Sequence, residues 1–468
     1  MSTRALSRTP LAGCLVAWLF SLCVPPARAE SQNRAQDSRD RFELSVHSET
    51  HAELFRRALL PGPSGSLVST DTVAPVFEFL SVRATDLDTG WRKDSLDFEL
   101  ATWARVWLGT RDTERPVDGD IQIANARYRH GPVSVRVGRQ QLAGAAARFV
   151  RFDGANLEAA LGAGVDANAY FGWTVLPRWN QRLRYQHLGA PSDTLLRDSV
   201  EFEAAPREAY WLAGGRVGFS SVERRAGVSF HEQREPGGVS RRSLGVDGRT
   251  PLVGRASLGT SALLDLDAVH VADARVWLDT SPSLATDLSF EYLHAEPALF
   301  LSRQSVLSVF STATYDEAGS YASVRASRAL AFDGSGFVQV YDEGRPGARS
   351  ELAMRLFPDP ARSTFVRLAY ARVVSPGNGY HSLRSSLSQR FTQRFRGTVE
   401  AYAYLYDKAI RSYRASTVYA GTLSFDPASE LSLLLGASLS HSPYASLEAQ
   451  TTLRASYAFD LSRHRRRR

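Results

Sequence analysis

Residues 94–109 read DSLDFELATWARVWLG. Taken alternately, Leu96, Phe98, Leu100, Thr102, Ala104, Val106 and Leu108 form one set, and Ser95, Asp97, Glu99, Ala101, Trp103, Arg105 and Trp107 form the other. A period of two belongs to the β-strand, whose successive side chains point to opposite faces, but strands of soluble proteins usually stop after about 5–6 residues. This segment runs well beyond that. It calls for an environment that needs a long strand with one unbroken apolar face and one charged face.

The pattern recurs along the chain. Val399, Ala401, Ala403 and Leu405 alternate with Glu400, Tyr402, Tyr404 and Tyr406, and Leu431, Leu433, Leu435, Ala437 and Leu439 alternate with small polar residues. Leu453, Ala455, Tyr457, Phe459 and Leu461 alternate with Arg454, Ser456 and Asp460, while Ala262, Leu264 and Leu266 face away from Ser261, Asp265 and Asp267. Alternation broken by Gly, Pro, Ser and Asp clusters predicts an all-β chain of about 22 strands (range about 16–22) between Arg41 and Leu461. Short connections such as Gly131-Pro132, Gly162-Ala163-Gly164 and Pro358-Asp359-Pro360 alternate with longer ones at His51–Pro75, Gln141–Arg151, Arg178–Arg207 and Glu296–Gly319. Turns at one end and loops at the other are the mark of a transmembrane antiparallel up-and-down β-barrel. Hydrocarbon cannot satisfy backbone N–H and C=O groups, so only helices or closed barrels cross it. A propeller or stacked sandwich also alternates, but with shorter strands and without the long and short alternation of loops.

The flanks locate the barrel. Residues 1–29 carry Arg4 and Arg8, an apolar run from Leu11 to Val24 and a small-residue ending at Ala27-Arg28-Ala29, the three parts of a secretory signal peptide. Both cysteines, Cys14 and Cys23, fall inside it, which leaves the mature chain without disulfides. Residues 30–40 read as a short disordered segment, residues 41–461 as the barrel and residues 462–468 as a basic tail. With so little before the first strand, no separate plug domain is expected. The formal charge of +7 comes from the leader and from the five arginines of the tail, so the body is close to neutral. That removes the basic patch that nucleic-acid binding requires.

Tyr457-Ala458-Phe459-Asp460-Leu461 resembles the terminal strand by which outer-membrane barrels are recognised for insertion, although Ser462 to Arg468 extend beyond it. The hairpin Val135-Arg136-Val137-Gly138-Arg139-Gln140-Gln141 … Arg151-Phe152-Asp153-Gly154 resembles the Gly-Arg-Gln … Asp-Gly hairpin of porin-like and alginate-export-like outer-membrane channels. In those families arginine ladders face anionic cargo, which implies a pore-mouth role for Arg136, Arg139, Arg148 and Arg151. Read from the residues alone, the same arginines can instead pair with Asp153 and Glu158 across the hairpin. The remaining pore-lining candidates are Asp97, Glu99, Arg105, Glu158, Asp265, Asp267, Arg275, Arg355, Arg367, Glu400 and Arg454, a mixture of signs that predicts modest charge selectivity.

These features point to a porin-like channel in the bacterial outer membrane for passive diffusion of small hydrophilic solutes. The expected partners are outer-membrane lipid, the barrel-assembly machinery during insertion and those solutes, with no nucleic acid. A sealed structural or loop-displaying barrel stays open as the alternative. An outer-membrane hydrolase is the weaker one, because His231, His294 and His441 form no catalytic spacing. No catalytic residue, cofactor or metal site is expected.

Overall fold

The computed structural model describes residues 41–464, apart from 60–68, 89–93, 109–116, 176–209, 236–237, 297–313, 342–343, 362, 411 and 444. The signal-peptide, short N-terminal segment and plug expectations therefore lie outside the described residues, as do most of the two longest connections.

Strand formation follows the period-two pattern. β1 (Arg41–Leu59), β2 (Ser69–Val73) and β3 (Pro75–Asp88) open the wall, with β2 and β3 acting as one stave interrupted at Ala74. The opening stretch is β4 (Asp94–Trp107), followed by β5 (Val117–His130), β6 (Val133–Gly144), β7 (Arg148–Gly162) and β8 (Val165–Thr174). Next come β9 (Trp211–Ser220), β10 (Arg225–Glu235), β11 (Gly238–Pro251), β12 (Ala256–Asp265), β13 (His270–Ser283) and β14 (Thr286–Ala295). The wall continues with β15 (Tyr315–Arg325), β16 (Leu330–Tyr341), β17 (Arg345–Leu356), β18 (Thr364–Val374) and β19 (Tyr380–Arg390). β20 (Phe395–Ile410), β21 (Tyr413–Ala428), β22 (Leu431–Ser442) and β23 (Ala445–His464) complete it.

Each stave pairs antiparallel with its sequence neighbours, and β23 returns to β1 in a register that runs from Arg41↔His464 to Phe55↔Gln450. The sheet has no terminal edge: it is a closed antiparallel barrel of 22 strands. β23 continues to His464, so Ser462, Arg463 and His464, assigned from sequence to the tail, belong to the last strand.

The register assigns the faces. Phe98 and Leu100 share a side with Val82 and Ala84 of β3 and with Ala124 and Ala126 of β5. That side carries the exposed apolar belt, including Phe98, Val106, Leu108, Val137, Leu157, Leu435 and Leu453. Glu78 is an exception on this outer face, where its carboxylate accepts hydrogen bonds from Ser48 Oγ (2.6 Å) and Thr50 Oγ1 (2.5 Å).

Following paired residues also gives height. From Thr50 the row through Ala455, Leu433 and Phe425 descends to Phe395, beside the short turn at residues 391–394. Taken the other way, the row from Phe459 through Val46, Val82, Leu100 and Ala124 rises to Arg139, then through Asp153 and Trp173 to Trp211. With a strand spacing of about 4.8 Å and a tilt of about 40°, the whole climb is about 25 Å. That matches the height of the apolar band of such barrels, about 25 Å between aromatic girdles. Phe459 and Trp211 mark its two borders.

Candidate functional site: a hairpin folded into the lumen

Among the described residues, burial is concentrated at the β6–β7 hairpin. Its tip, a short 3-10 turn at Ala145–Ala147, passes β8 and β9 and meets β10, β11 and β12, strands that are not its neighbours. The backbone N–H of Ala146 donates to Ser229 Oγ of β10 (3.0 Å), and Ser243 Oγ of β11 donates to the Ala146 carbonyl (2.8 Å). Ala146 also packs with Leu263 of β12 and Ala272 of β13. Behind the tip, Phe152, Val150 and Ala147 pack on Tyr170 and Leu212, with Leu142 against them. Phe152 and Leu212 are fully buried, and Tyr170 Oη lies 3.0 Å from His231 Nδ1. Because these contacts run past β8 and β9 on the face opposite the apolar belt, the side bearing Ser229, His231, Ser243 and Leu263 is the lumen.

Glycine makes the bend possible. Gly138 faces Gly154, which faces Gly172, across β6, β7 and β8. Gly138 has φ +117°, and a Cβ there would lie 2.3 Å from the Ala124 carbonyl oxygen. At Gly154 a Cβ would lie 2.1 Å from the Phe171 carbonyl oxygen. Only residues without side chains let the backbones close up there and turn the hairpin off the wall. Thus Gln141–Arg151, expected as a loop, is two paired strand ends and a tight tip.

The charges on the lumen side are arranged in pairs that often reach over an intervening strand. Arg129 contacts Asp97 and Asp86 at 3.0 Å, Arg127 contacts Glu158 at 2.6 Å, and Arg216 contacts Asp247 at 2.8 Å. Further round, Arg275 meets Glu291, Arg349 meets Glu317, Arg355 meets Asp333 and Arg367 meets Glu351. Arg105 lies 3.7 Å from Asp118 and 5.5 Å from the Trp107 ring centroid. Glu99, Glu400 and Arg454 share the lumen side by register. Arg136 also faces the lumen, with its Nε buried and without a hydrogen-bond partner.

Three candidates are placed differently from the sequence reading, and a fourth, Asp265, keeps the lumen side opposite Ser243. Arg139 and Arg151 lie on the outer set with Val137 and Asp153, since the bend at Gly138 and Gly154 does not alter the alternation within the hairpin. Asp265 is buried and accepts from the amide N–H of Asp267 (2.9 Å) and of Ala268 (3.2 Å), so it shapes a turn. Asp267 sits in that turn, beyond β12. The side chain of Arg148 lies outside the described residues. Sequence reasoning missed Arg127, Arg129, Arg216, Asp247, Glu317, Arg349, Ser229 and Ser243. Their partners are one or more strands away, and no local spacing announces them.

No family model matches the sequence, and no curated protein does. Among solved structures, OccAB4 of Acinetobacter baumannii aligns over 90% of this chain and 98% of its own, at 9% identity and a TM-score of 0.43. The translocation pore of the P pilus usher PapC covers 89% and 99%, at 9% identity and a TM-score of 0.41. OccD3 (OpdP) of Pseudomonas aeruginosa covers 90% and 91%, at 8% identity and a TM-score of 0.40.

Proposed function

We propose that this chain is an outer-membrane channel through which small hydrophilic solutes diffuse passively, and that the β6–β7 hairpin forms its constriction. The observation that carries the reading is the hairpin itself. A segment turned off the wall by a glycine ladder and bonded to Ser229 and Ser243 on the lumen face of β10 and β11 narrows the lumen at a fixed place. The outer apolar belt supports a membrane setting, since a soluble barrel has no reason to expose Phe98, Val106, Leu157, Leu435 and Leu453 together. The paired lumen charges support weak selectivity, because opposite charges at contact distance cancel most of the field that focuses ions in a narrow passage.

Planar-bilayer recording of the purified protein tests this. Wild type is expected to conduct in resolved steps. Gly138→Val, which forces the hairpin out of its present path, is expected to change the unit conductance while the protein still shows heat-modifiable gel mobility. A wild-type protein that folds into bilayers and never conducts overturns the channel and leaves a sealed barrel that displays its loops.

A further inference from the structure

By leaving the wall, the hairpin opens a cleft in it. β5 pairs with β4 from Val117 to His130, but with β6 only from Ala124 to His130. Among the described residues, no strand pairs with Val117–Ile123 on the β6 side. The Arg139 guanidinium reaches into the space, where its Nη1 donates to the Ile121 carbonyl (3.0 Å) and its Nε and Nη2 donate to Asp153 (2.8 Å each). Arg151 closes the far side with Asp120 at 2.8 Å. A cavity of about 330 Å³ lies at this place, lined by Thr102, Trp103, Gly119, Asp120, Ile121 and Arg139. Thr102 and Ile121 belong to the outer face and Trp103 to the lumen face, so the lining combines both sides of the wall.

Depth gives this cleft its meaning. By the register count from Phe459, Arg139 stands about 15 Å up a band of about 25 Å, in the outer half of the hydrocarbon zone. Irregular backbone at that depth is tolerated only where it is covered by protein or lines a water-filled cavity. Two arginines and two aspartates make the seam neutral overall, so no net charge opposes its place in the wall. We propose that the cleft is a lateral portal by which a single-chain amphiphile passes between the lumen and the outer half of the membrane. Trp103 and Ile121 take its apolar chain, and Asp120 of β5, 2.8 Å from Arg151 and 3.7 Å from Arg139 of the hairpin, acts as the latch beside its polar head. The portal is a second route, distinct from diffusion along the barrel axis.

The test uses full-length protein in phosphatidylcholine vesicles. A charged, water-soluble maleimide is expected to label Ile121→Cys at least about tenfold faster than Phe171→Cys, which faces outward from wall paired on both sides at a similar depth. A diazirine-tagged dodecylphosphocholine is expected to crosslink to the segment containing Ile121 and to lose that crosslink in Thr102→Trp, which fills the cleft. Asp120→Ala, which releases the latch, is expected to increase it. Ile121→Trp replaces Thr102→Trp if the latter does not show the heat-modified mobility of folded barrel. Equal maleimide rates at Ile121 and Phe171 overturn the portal, and so does aqueous access without the amphiphile crosslink. Conductance measured on the same preparations separates the two ideas: a sealed cleft with intact conductance removes the portal alone.

Discussion

Leu435→Arg should cost the folded barrel about 2–4 kcal/mol, and Ser438→Arg far less. The difference follows from the register. Leu435 pairs with Leu423 and Leu453 on the outer face, with nearly half its surface exposed there. Its row leads through Leu423 down to Gly397, two residues above Phe395. Converted with a rise of about 3.4 Å per residue, a spacing of about 4.8 Å and a tilt of about 40°, Leu435 stands about 11 Å above Phe395, near the midplane of the apolar band. The penalty for arginine on the lipid face is largest there and falls towards the interfaces. Ser438 pairs with Ala420 and Gln450 on the lumen face, where water solvates a guanidinium. Reversible unfolding by urea in lipid vesicles, followed by tryptophan fluorescence with heat-modified mobility as a folding check, measures both variants. Equal costs would refute the assignment of faces, and with it the membrane setting, because a soluble barrel has water on both sides.

Three other outcomes are expected. Glu317, only 4% exposed, takes both Arg349 (2.6 Å) and Gln339 (2.6 Å), so Glu317→Gln leaves a lumen arginine uncompensated. The reversal potential in a salt gradient should shift towards anions, more so at low ionic strength, where screening is weaker. Single cysteines at Ser192 and Ser311 should react with an impermeant maleimide on intact cells while one at Ser283 stays protected, which places the long connections outside and both termini in the periplasm; the opposite labelling reverses the orientation. Asp359, in a short turn, accepts from the backbone N–H of Thr364 and Ser363 and from Ser363 Oγ, all at 2.8 Å, and these bonds hold its carboxyl down to about 2. A depressed carboxylate stabilises the fold above the ordinary carboxylate range and loses that contribution as pH falls through about 2, so Asp359→Asn should flatten the acid limb of a heat-modifiability titration.

The alternation of residues 94–108 decided most of the architecture in advance: Phe98, Leu100 and Val106 are on the outer face, and Asp97, Glu99 and Arg105 on the lumen face. Such a signal is local, since each side chain's face depends only on its position in its own strand. The site is less legible because it is built between strands. Arg127 and Glu158 are 31 residues apart, and nothing near either residue names the other. The irregularity opposite Ala101 and Thr102 leaves Gln122 out of register, so alternation counted through β5 assigns the wrong face to one end. Gly138 and Gly154 stand in the hairpin motif of the sequence, but only strand pairing sets them side by side and beside Gly172. The sequence leaves the arginines at 139 and 151 two roles, a pore ladder or pairing with Asp153 and Glu158, and Arg139 takes the pairing with Asp153. Both arginines fell on the outer set because a hairpin that bends keeps its alternation, while what each of its faces meets changes.

The seam between β1 and β23 has a kinetic side. Ser456 donates to Glu49 across 407 residues of chain, and every other pair in that seam is comparably remote. Bringing the ends of so long a loop together costs entropy that grows only logarithmically, about 5 kcal/mol for a loop of this length. That sum is modest beside what a full ladder of backbone hydrogen bonds returns. The timing is harsher than the energy, because this pairing cannot begin until the last residues have been delivered, and contacts of such high order form slowly. Until then the growing sheet carries two bare edges, each able to recruit a strand from another molecule. Mispairing during biogenesis should therefore concentrate at Arg41–Phe55 and Gln450–His464, and a short tether joining residue 41 to residue 464 should raise refolding yield at high protein concentration more than it raises equilibrium stability.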